Sequence, residues 1–208
     1  MVNRRIVLIV LLVAAFAGAA TAWLAMPERE LRPALEQATW LDSARPLPDL
    51  ALMDGRGRDF RQDQLRGHWT LMFFGFTNCP DVCPTTLAAL AAVRRQLADL
   101  PTGEMPAVVF VSVYPGRDTP EALGRYVAHF DPQFAGVTGT PAAIETLTRA
   151  LGVAVFIGAA KDDGSYAVDH TAAIFLIDPD AALRAVFSGP HLAAAIAGDY
   201  RRIVAAAH

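Results

Sequence analysis

The chain has 208 residues, of which 53% are hydrophobic, and its formal net charge is −3 at pH 7. A chain of this length and apolar content can bury one full core, so we expect a single globular domain. The slightly negative charge, without a basic stripe, argues against nucleic acid as a partner.

The N-terminal segment predicts the compartment of the protein. Arg4 and Arg5 precede Ile6 to Met26, a run without any charged side chain. A run of this length crosses the ~30 Å hydrocarbon layer of a bilayer. We therefore expect residues 1–26 to be a retained, single-pass transmembrane helix in the inner (cytoplasmic) membrane, with the C-terminal domain in the periplasm or an equivalent exported compartment. A cleaved signal peptide is the alternative, because the segment also contains small residues suited to a cleavage site.

Residues 27–48 mix charges, prolines and scattered apolar side chains, which predicts a linker with a short helical piece around Leu31 to Trp40. The domain itself is predicted to cover residues 49–208. It begins with an N-terminal hairpin, in which Leu50 to Met53 pairs with Arg58 to Phe60 across a turn that contains glycines.

The rest of the chain alternates between apolar runs and segments with helical spacing. Thr119 and Thr140, each followed by proline, predict helix N-caps. The predicted strands are Trp69 to Phe76, Ala107 to Val113, Val153 to Ile157, Ala172 to Ile177 and Arg184 to Ser188. The predicted helices are Thr85 to Leu100, Thr119 to about Phe130, Thr140 to about Leu151 and His191 to Ala207. This order predicts an α/β fold with a mixed sheet flanked by helices.

The only two cysteines, Cys79 and Cys83, lie between the first central strand and the first long helix. A dithiol at the tip of a central strand in this layout is typical of a thioredoxin-like fold. Side chains four residues apart share a helical face, so the two sulfurs can chelate one ion or close a disulfide. N–H groups at a helix N-terminus favour the thiolate, which binds metals and attacks disulfides. A purely structural disulfide is the weaker interpretation, because closing so short a loop adds little stability.

Soft thiolates in an exported protein select Cu(I) over hard ions, but two of them leave a metal site incomplete. His170 is the candidate third ligand, because it stands just before the strand Ala172 to Ile177 and the equivalent loop of thioredoxin-like folds faces the dithiol. Two sulfurs and one imidazole suit Cu(I), and an added oxygen or nitrogen ligand would suit Cu(II). The other histidines are expected to be surface, core or helix-start residues: His68, His129, His191 and His208.

Several segments of the chain resemble the Sco/SenC family of copper proteins. They are Phe74–Pro84 with its two cysteines, Val111–Pro120, Gly136–Pro141, and Val168–Thr171 leading to Ile177–Asp180. The resemblance implies a membrane-anchored, thioredoxin-like copper metallochaperone that helps to assemble the binuclear copper centre of cytochrome c oxidase. It implies Cys79, Cys83 and His170 as the copper ligands. The expected partners are the copper-bearing subunit of the oxidase and another copper chaperone.

Two positions depart from the pattern of that family. Asn78 stands where the family commonly has a histidine, and Tyr114 stands where it commonly has an acid. Neither change touches the three expected ligands. We therefore expect copper binding to survive, with differences confined to how copper is transferred.

The dithiol also fits an enzyme. A thiol–disulfide oxidoreductase would keep the copper-ligand cysteines of the oxidase reduced, with one cysteine attacking a disulfide and the other resolving the intermediate. A peroxidase is the weakest alternative, since it needs an activating arginine beside a dedicated cysteine. His170 discriminates between the first two functions, because copper retention should need it and reductase chemistry should not.

Overall fold

The computed structural model describes residues 33–157 and 168–207. Within these ranges, no helix has the length and apolar character needed to span a bilayer. The predicted membrane anchor, residues 1–26, lies outside the described residues, as does the beginning of the predicted linker.

Ten strands, four α-helices and one 3₁₀ turn (Gln62–Leu65) make up the described part of the chain. The strands are β1 (Ala38–Pro46), β2 (Leu52–Asp54), β3 (Asp59–Phe60), β4 (Thr70–Gly75), β5 (Ala107–Ser112), β6 (Ala135–Gly139), β7 (Val155–Ile157), β8 (Val168–His170), β9 (Ile174–Ile177) and β10 (Ala182–Phe187). The helices are α1 (Val82–Gln96), α2 (Pro120–Ala128), α3 (Pro141–Leu151) and α4 (Ala193–Ala206). The predicted mixed α/β architecture is confirmed.

Eight of the described strands form one mixed sheet in the order β1-β10-β9-β4-β5-β6-β2-β3, and β7 pairs with β8 separately. The neighbours β4, β5 and β6 run parallel, whereas the other pairs are antiparallel. All six residues of β4 are buried, as expected for a strand covered on both faces. Because β4 and β5 are parallel, the loops that follow them leave the sheet at the same edge.

The side chains of β4 divide the core into two layers, because they alternate between the faces of the sheet. Leu71 and Phe73 pack on one face with α1 and α4, whereas Met72 and Phe74 pack on the other face with α3. Helices therefore cover both faces of the sheet. The loops at the end of β4 and β5 remain at its edge.

The predicted hairpin and both predicted helix caps are present. Strand β2 pairs antiparallel with β3. The hydroxyl of Thr119 accepts the N–H of Ala122 at 3.3 Å, and that of Thr140 accepts the N–H of Ala143 at 3.2 Å. These caps satisfy donors that the first helical turn leaves free, which explains why the two helices begin there.

Residues 38–46, inside the predicted linker, instead form strand β1 at the edge of the sheet. Strand β1 pairs antiparallel with β10, with Ala38 opposite Phe187 and Pro46 opposite Ala182. The predicted helical piece is absent from the described residues 33–40. An edge strand uses its hydrogen bonds on one side only, so it tolerates charges and a proline that look like a linker in the sequence. The compact unit begins at Pro33 rather than at residue 49.

Strand β6 is missing from the predicted order of elements. Its sequence, AGVTG, contains two glycines and offers little β-propensity. A Cβ added at Gly136 would lie 3.0 Å from the backbone of Leu123, so the absence of a side chain lets α2 pack closely on this strand. The strand exists because of this tertiary packing and its parallel pairing with β5.

Asp199 of α4 binds the N-terminal part of the described domain through hydrogen bonds. Its side chain is fully buried. Its carboxylate accepts the N–H groups of Glu36, Gln37 and Ala38 at 2.7–2.8 Å, and Arg202 donates to it at 2.8 Å. Burial alone would raise the pKa of Asp199, but these hydrogen bonds and the Arg202 charge outweigh burial and lower that pKa below its ordinary value.

Replacing Asp199 with asparagine should lower the free energy of unfolding by about 2–4 kcal/mol, because charge-assisted hydrogen bonds are lost and the amide N–H₂ faces backbone donors. The pKa of Asp199 is lower in the folded than in the unfolded chain, so its stabilisation is complete above pH ~4 and is lost as the pH falls further. Denaturant titrations from pH 7 to about pH 3 should show a shallower acid-induced loss in Asp199→Asn. The exposed control Asp63→Asn should match wild type, and identical acid profiles for Asp199→Asn and wild type would contradict this role.

Candidate metal centre

Cys79 and Cys83 lie in the loop and first helical turn that follow β4. Helix α1 begins at Val82, three residues before the predicted start at Thr85, so Cys83 is its second residue and Cys79 precedes it. The N–H of Cys79 donates to the carbonyl of Phe76 at 3.2 Å, which closes the turn between strand and helix. The dithiol is at the helix N-terminus as predicted, but the two cysteines do not share one continuous helical face.

Cys83 is the inner cysteine, with no solvent-exposed surface. A Cβ added at Gly75 would lie 2.7 Å from the Cys83 sulfur and 2.7 Å from the Phe110 ring, so glycine is what allows the sulfur to pack against β4. Burial raises the pKa of the Cys83 thiol well above its ordinary value, and the nearby Cys79 adds to the shift. In the metal-free protein at neutral pH, Cys83 is therefore a neutral thiol.

Cys79 is the accessible cysteine. It is half-buried at the edge of the core, and neither cysteine forms a disulfide. Its sulfur accepts the N–H of Cys83 at 3.4 Å. The pair thus presents one sulfur to the surroundings and keeps the second directly behind it.

Asp118 holds the cysteine loop in place, a role that the sequence did not predict. Its buried carboxylate accepts the N–H and hydroxyl of Thr77 at 3.0 and 2.6 Å and the hydroxyl of Ser112 at 2.7 Å. It thereby connects the start of α2, the end of β5 and the loop before Cys79. The sequence contains one signal for this role. Asp118 is an acid just before the Thr119 cap, and it follows a strand that ends at the same edge of the sheet as the strand before the cysteine loop.

The backbone of His170 lies in β8, opposite Val155 of β7. Strand β9 begins shortly afterwards at Ile174, which pairs with Phe73 of β4. Because β9 is antiparallel to β4, the chain enters β9 at the edge of the sheet where β4 leads into the cysteine loop. The side chain of His170 is outside the described part of the structure, so its role as a ligand stays a prediction.

The structure describes the side chains of other histidines, among them His191 and His129. His191 lies just before α4, with Nε2 2.5 Å from the Ala172 carbonyl oxygen and its ring edge-on to Phe73 at 6.4 Å. His129 is exposed beside Phe130, and His208 lies outside the described residues.

Among the side chains that the structure describes, no three His, Cys, Asp or Glu residues are arranged to hold a metal ion. The described donors are two adjacent sulfurs, a set that suits a soft ion such as Cu(I).

The two positions that depart from the family pattern lie in the loops that follow β4 and β5. Asn78 is exposed in the cysteine loop. Tyr114 follows β5, its N–H donates to the Ser112 hydroxyl at 3.1 Å, and it lines a cleft of about 660 Å³ together with Ile144 and Val155. The tyrosine therefore contributes to a cleft between the end of β5, α3 and β7.

The chain is similar to known proteins in both sequence and structure. Residues 42–205 match the SCO1/SenC family, and this range contains both cysteines and His170. The mitochondrial protein SCO2 homolog of Bos taurus is 38% identical over 200 residues, covering 94% of this chain and 75% of the relative. Copper-bound ScoI of Arabidopsis thaliana is 31% identical with a TM-score of 0.70, and copper-bound ScoI of Bradyrhizobium japonicum is 34% identical with a TM-score of 0.67. Both structural matches cover 76% of this chain and 98% of the other.

Proposed function

The chain belongs to the SCO1/SenC family, and from this membership we propose that it is a copper metallochaperone. It binds copper through Cys79, Cys83 and His170, and it delivers the metal to, or helps to mature, the binuclear copper centre of cytochrome c oxidase. The bound copper in two solved relatives of 31% and 34% identity supports this proposal. The partners are then the copper-bearing subunit of the oxidase and a copper chaperone that loads this protein.

The observation that carries the proposal is the pair of unbridged cysteines at the end of β4. The N–H of Cys83 is bonded to the Cys79 sulfur, so the two residues are already adjacent without a disulfide. Thiolate ligands hold Cu(I) strongly but exchange readily with other thiolates, as delivery requires. The buried sulfur of Cys83 helps to retain copper, and the accessible sulfur of Cys79 can be reached by the ligands of an acceptor.

The two cysteines have different roles in this mechanism. Cys79 is accessible and meets incoming copper first. Cys83 must lose its proton before it can bind, and burial raises the pKa of its thiol. Copper binding therefore releases a proton. In delivery, ligands of the acceptor replace those of the chaperone one by one, beginning at the accessible Cys79.

We also propose that Ile6 to Met26 anchors the protein in the inner membrane, with the copper domain in the periplasm or an equivalent compartment. The support is the uncharged run itself and the positive Arg4 and Arg5 before it. An anchor would keep the domain at the membrane surface, where the copper-bearing subunit of a membrane oxidase is assembled.

A thiol–disulfide reductase is the second candidate, and the asymmetry of the dithiol favours it. The accessible Cys79 thiolate would attack a partner disulfide and form a mixed disulfide, releasing one partner thiolate. Cys83, once deprotonated, would then attack the Cys79 sulfur, which frees the second partner thiolate and leaves Cys79 and Cys83 as a disulfide. An external dithiol reductant must reduce that disulfide before the next cycle.

Replacing His170 with alanine separates the two functions. The variant should bind Cu(I) more than about a hundredfold less tightly, a larger effect than the ~10–100-fold cost of losing a partner outside the ligand shell. Its dithiol should still reduce a model disulfide at the wild-type rate, because that reaction uses only the sulfurs. Competition with a chromophoric Cu(I) chelator and a thiol–disulfide exchange assay measure the two properties.

The exposed His129→Ala is the matched control and should equal wild type in both assays. Wild-type copper affinity in His170→Ala would remove His170 from the ligand set. A wild-type protein that cycles its dithiol but binds no tight copper would favour the reductase.

A further inference from the structure

Tyr126 of α2 is partly buried and packs against the core layer that contains the inner cysteine. Its ring lies 5.7 Å from the Phe110 ring and 5.5 Å from the Phe130 ring, measured between centroids. The Phe110 ring and the Cys83 sulfur both pack against the backbone of Gly75, where an added Cβ would lie 2.7 Å from each. The Phe110 ring is therefore a neighbour of both the Cys83 sulfur and the Tyr126 ring.

The hydroxyl of Tyr126 is buried and has no hydrogen-bond partner among the described residues. The second tyrosine of this core layer, the fully buried Tyr200, donates to the carbonyl of Glu104 instead. An unpaired buried hydroxyl is unfavourable, so its retention in a folded protein calls for an explanation.

Three groups that carry or acquire negative charge influence this hydroxyl. Burial raises the pKa of Tyr126, and charge on Cys83, on Cys79 and on Asp118 raises it further. The phenol therefore stays protonated at neutral pH and remains a donor. The Asp118 carboxylate already accepts three hydrogen bonds from Thr77 and Ser112. The Cys83 sulfur, in contrast, becomes an anionic acceptor only when it loses its proton.

We propose that the Tyr126 hydroxyl donates a hydrogen bond to the Cys83 sulfur when that sulfur is a copper-bound thiolate. This inference rests on the proposed copper function and makes Tyr126 a positioning residue that acts through Cys83. Its donor is buried in the metal-free protein and gains an acceptor when copper binds. Hydrogen bonds to metal ligands typically change metal affinity by about 10–100-fold, so Tyr126 tightens copper binding by a factor of this order.

The test compares Tyr126→Phe with Tyr200→Phe in the full-length protein. Tyr126→Phe removes only a hydroxyl that has no described partner, so the metal-free protein should unfold at the wild-type temperature or slightly above it. Its Cu(I) affinity, measured against a chromophoric chelator, should fall at least about tenfold. In the Cu(II) form, the sulfur-to-copper charge-transfer band should move to longer wavelength, because the thiolate loses a stabilising donor.

Tyr200→Phe should do the opposite. It leaves the Glu104 carbonyl without its donor, which should lower the unfolding temperature by about 2–4 °C while Cu(I) affinity stays at the wild-type value. Such opposite responses separate a hydrogen bond to the copper site from a general role in packing.

The outcomes are distinct. If wild type binds copper tightly and Tyr126→Phe binds it equally well, the hydrogen bond does not exist, although the copper function stands. If Tyr126→Phe loses affinity and unfolding temperature together, Tyr126 is a packing residue and the inference fails. If wild type itself binds no tight copper, the proposed function fails first, which the wild-type measurement alone reveals.

Discussion

Replacing Cys83 with serine should lower Cu(I) affinity by at least about a thousandfold, well beyond the ~10–100-fold effect of changing a partner outside the ligand shell. A serine hydroxyl is a hard donor that is not deprotonated at neutral pH, so it cannot replace a soft thiolate. The position is fully buried beside Gly75 and Phe110, which leaves no space for water to act as a substitute ligand.

The same substitution should leave a folded protein. Serine is slightly smaller than cysteine, and its buried hydroxyl should cost about 1–2 kcal/mol of unfolding free energy unless it finds a partner. Chelator competition measures the affinity, and circular dichroism with denaturant titration measures the fold.

Cys79→Ser should lose copper to a similar extent with a smaller stability cost, because Cys79 is only half-buried. Tight copper binding by either serine variant would exclude that cysteine as an essential ligand.

Replacing Gly75 with alanine should damage both the fold and the site. The added methyl group would lie 2.7 Å from the Cys83 sulfur and 2.7 Å from the Phe110 ring, far inside ordinary contact distance. Such overpacking costs about 1–3 kcal/mol, and atoms on two sides place this case at the upper end. Cys83 has a shorter side chain than Phe110, so the Cys83 sulfur must move. Cu(I) affinity should therefore fall by about tenfold or more, as for other changes around metal ligands.

Gly103→Ala is the control for this variant. Gly103 is exposed, and a Cβ added there would meet nothing within 4 Å. This variant should therefore unfold and bind copper like wild type. If Gly75→Ala had the stability and the copper affinity of Gly103→Ala, the close packing of the Cys83 sulfur on β4 would be wrong.

Elements with strong local signals could be predicted from the sequence. The apolar run of β4 and the Thr-Pro pairs that begin α2 and α3 depend on neighbouring residues, and all three are present. The position of the cysteine loop can be predicted for the same reason. Its exact geometry cannot, because α1 begins before the last proline of the loop rather than after it.

Elements stabilised by distant residues could not be predicted. Strand β1 depends on pairing with β10 and on Asp199, which is 161 positions from Ala38 in the chain. Strand β6 has a weak intrinsic preference and depends on its neighbours in the sheet. Local composition does not report such contacts, so the sequence of β1 resembles a linker and that of β6 gives no clear strand signal.

The candidate site divides in the same way. Cys79 and Cys83 are recognisable because their residue type and spacing carry the chemistry. Asp118 carries no such signal on its own, and only the fold brings its carboxylate to Thr77 of the cysteine loop. Residues that support a metal centre are thus harder to predict than its ligands.

The central claim is that Cys79, Cys83 and His170 together bind copper. X-ray absorption spectroscopy of the Cu(I)-loaded protein tests it most directly, with the metal content determined on the same sample. The claim predicts one copper per chain with two sulfurs and one imidazole nitrogen bound to it, and loss of the imidazole signal in His170→Ala. Ligation by two sulfurs without an imidazole, or a spectrum unchanged in His170→Ala, would contradict it.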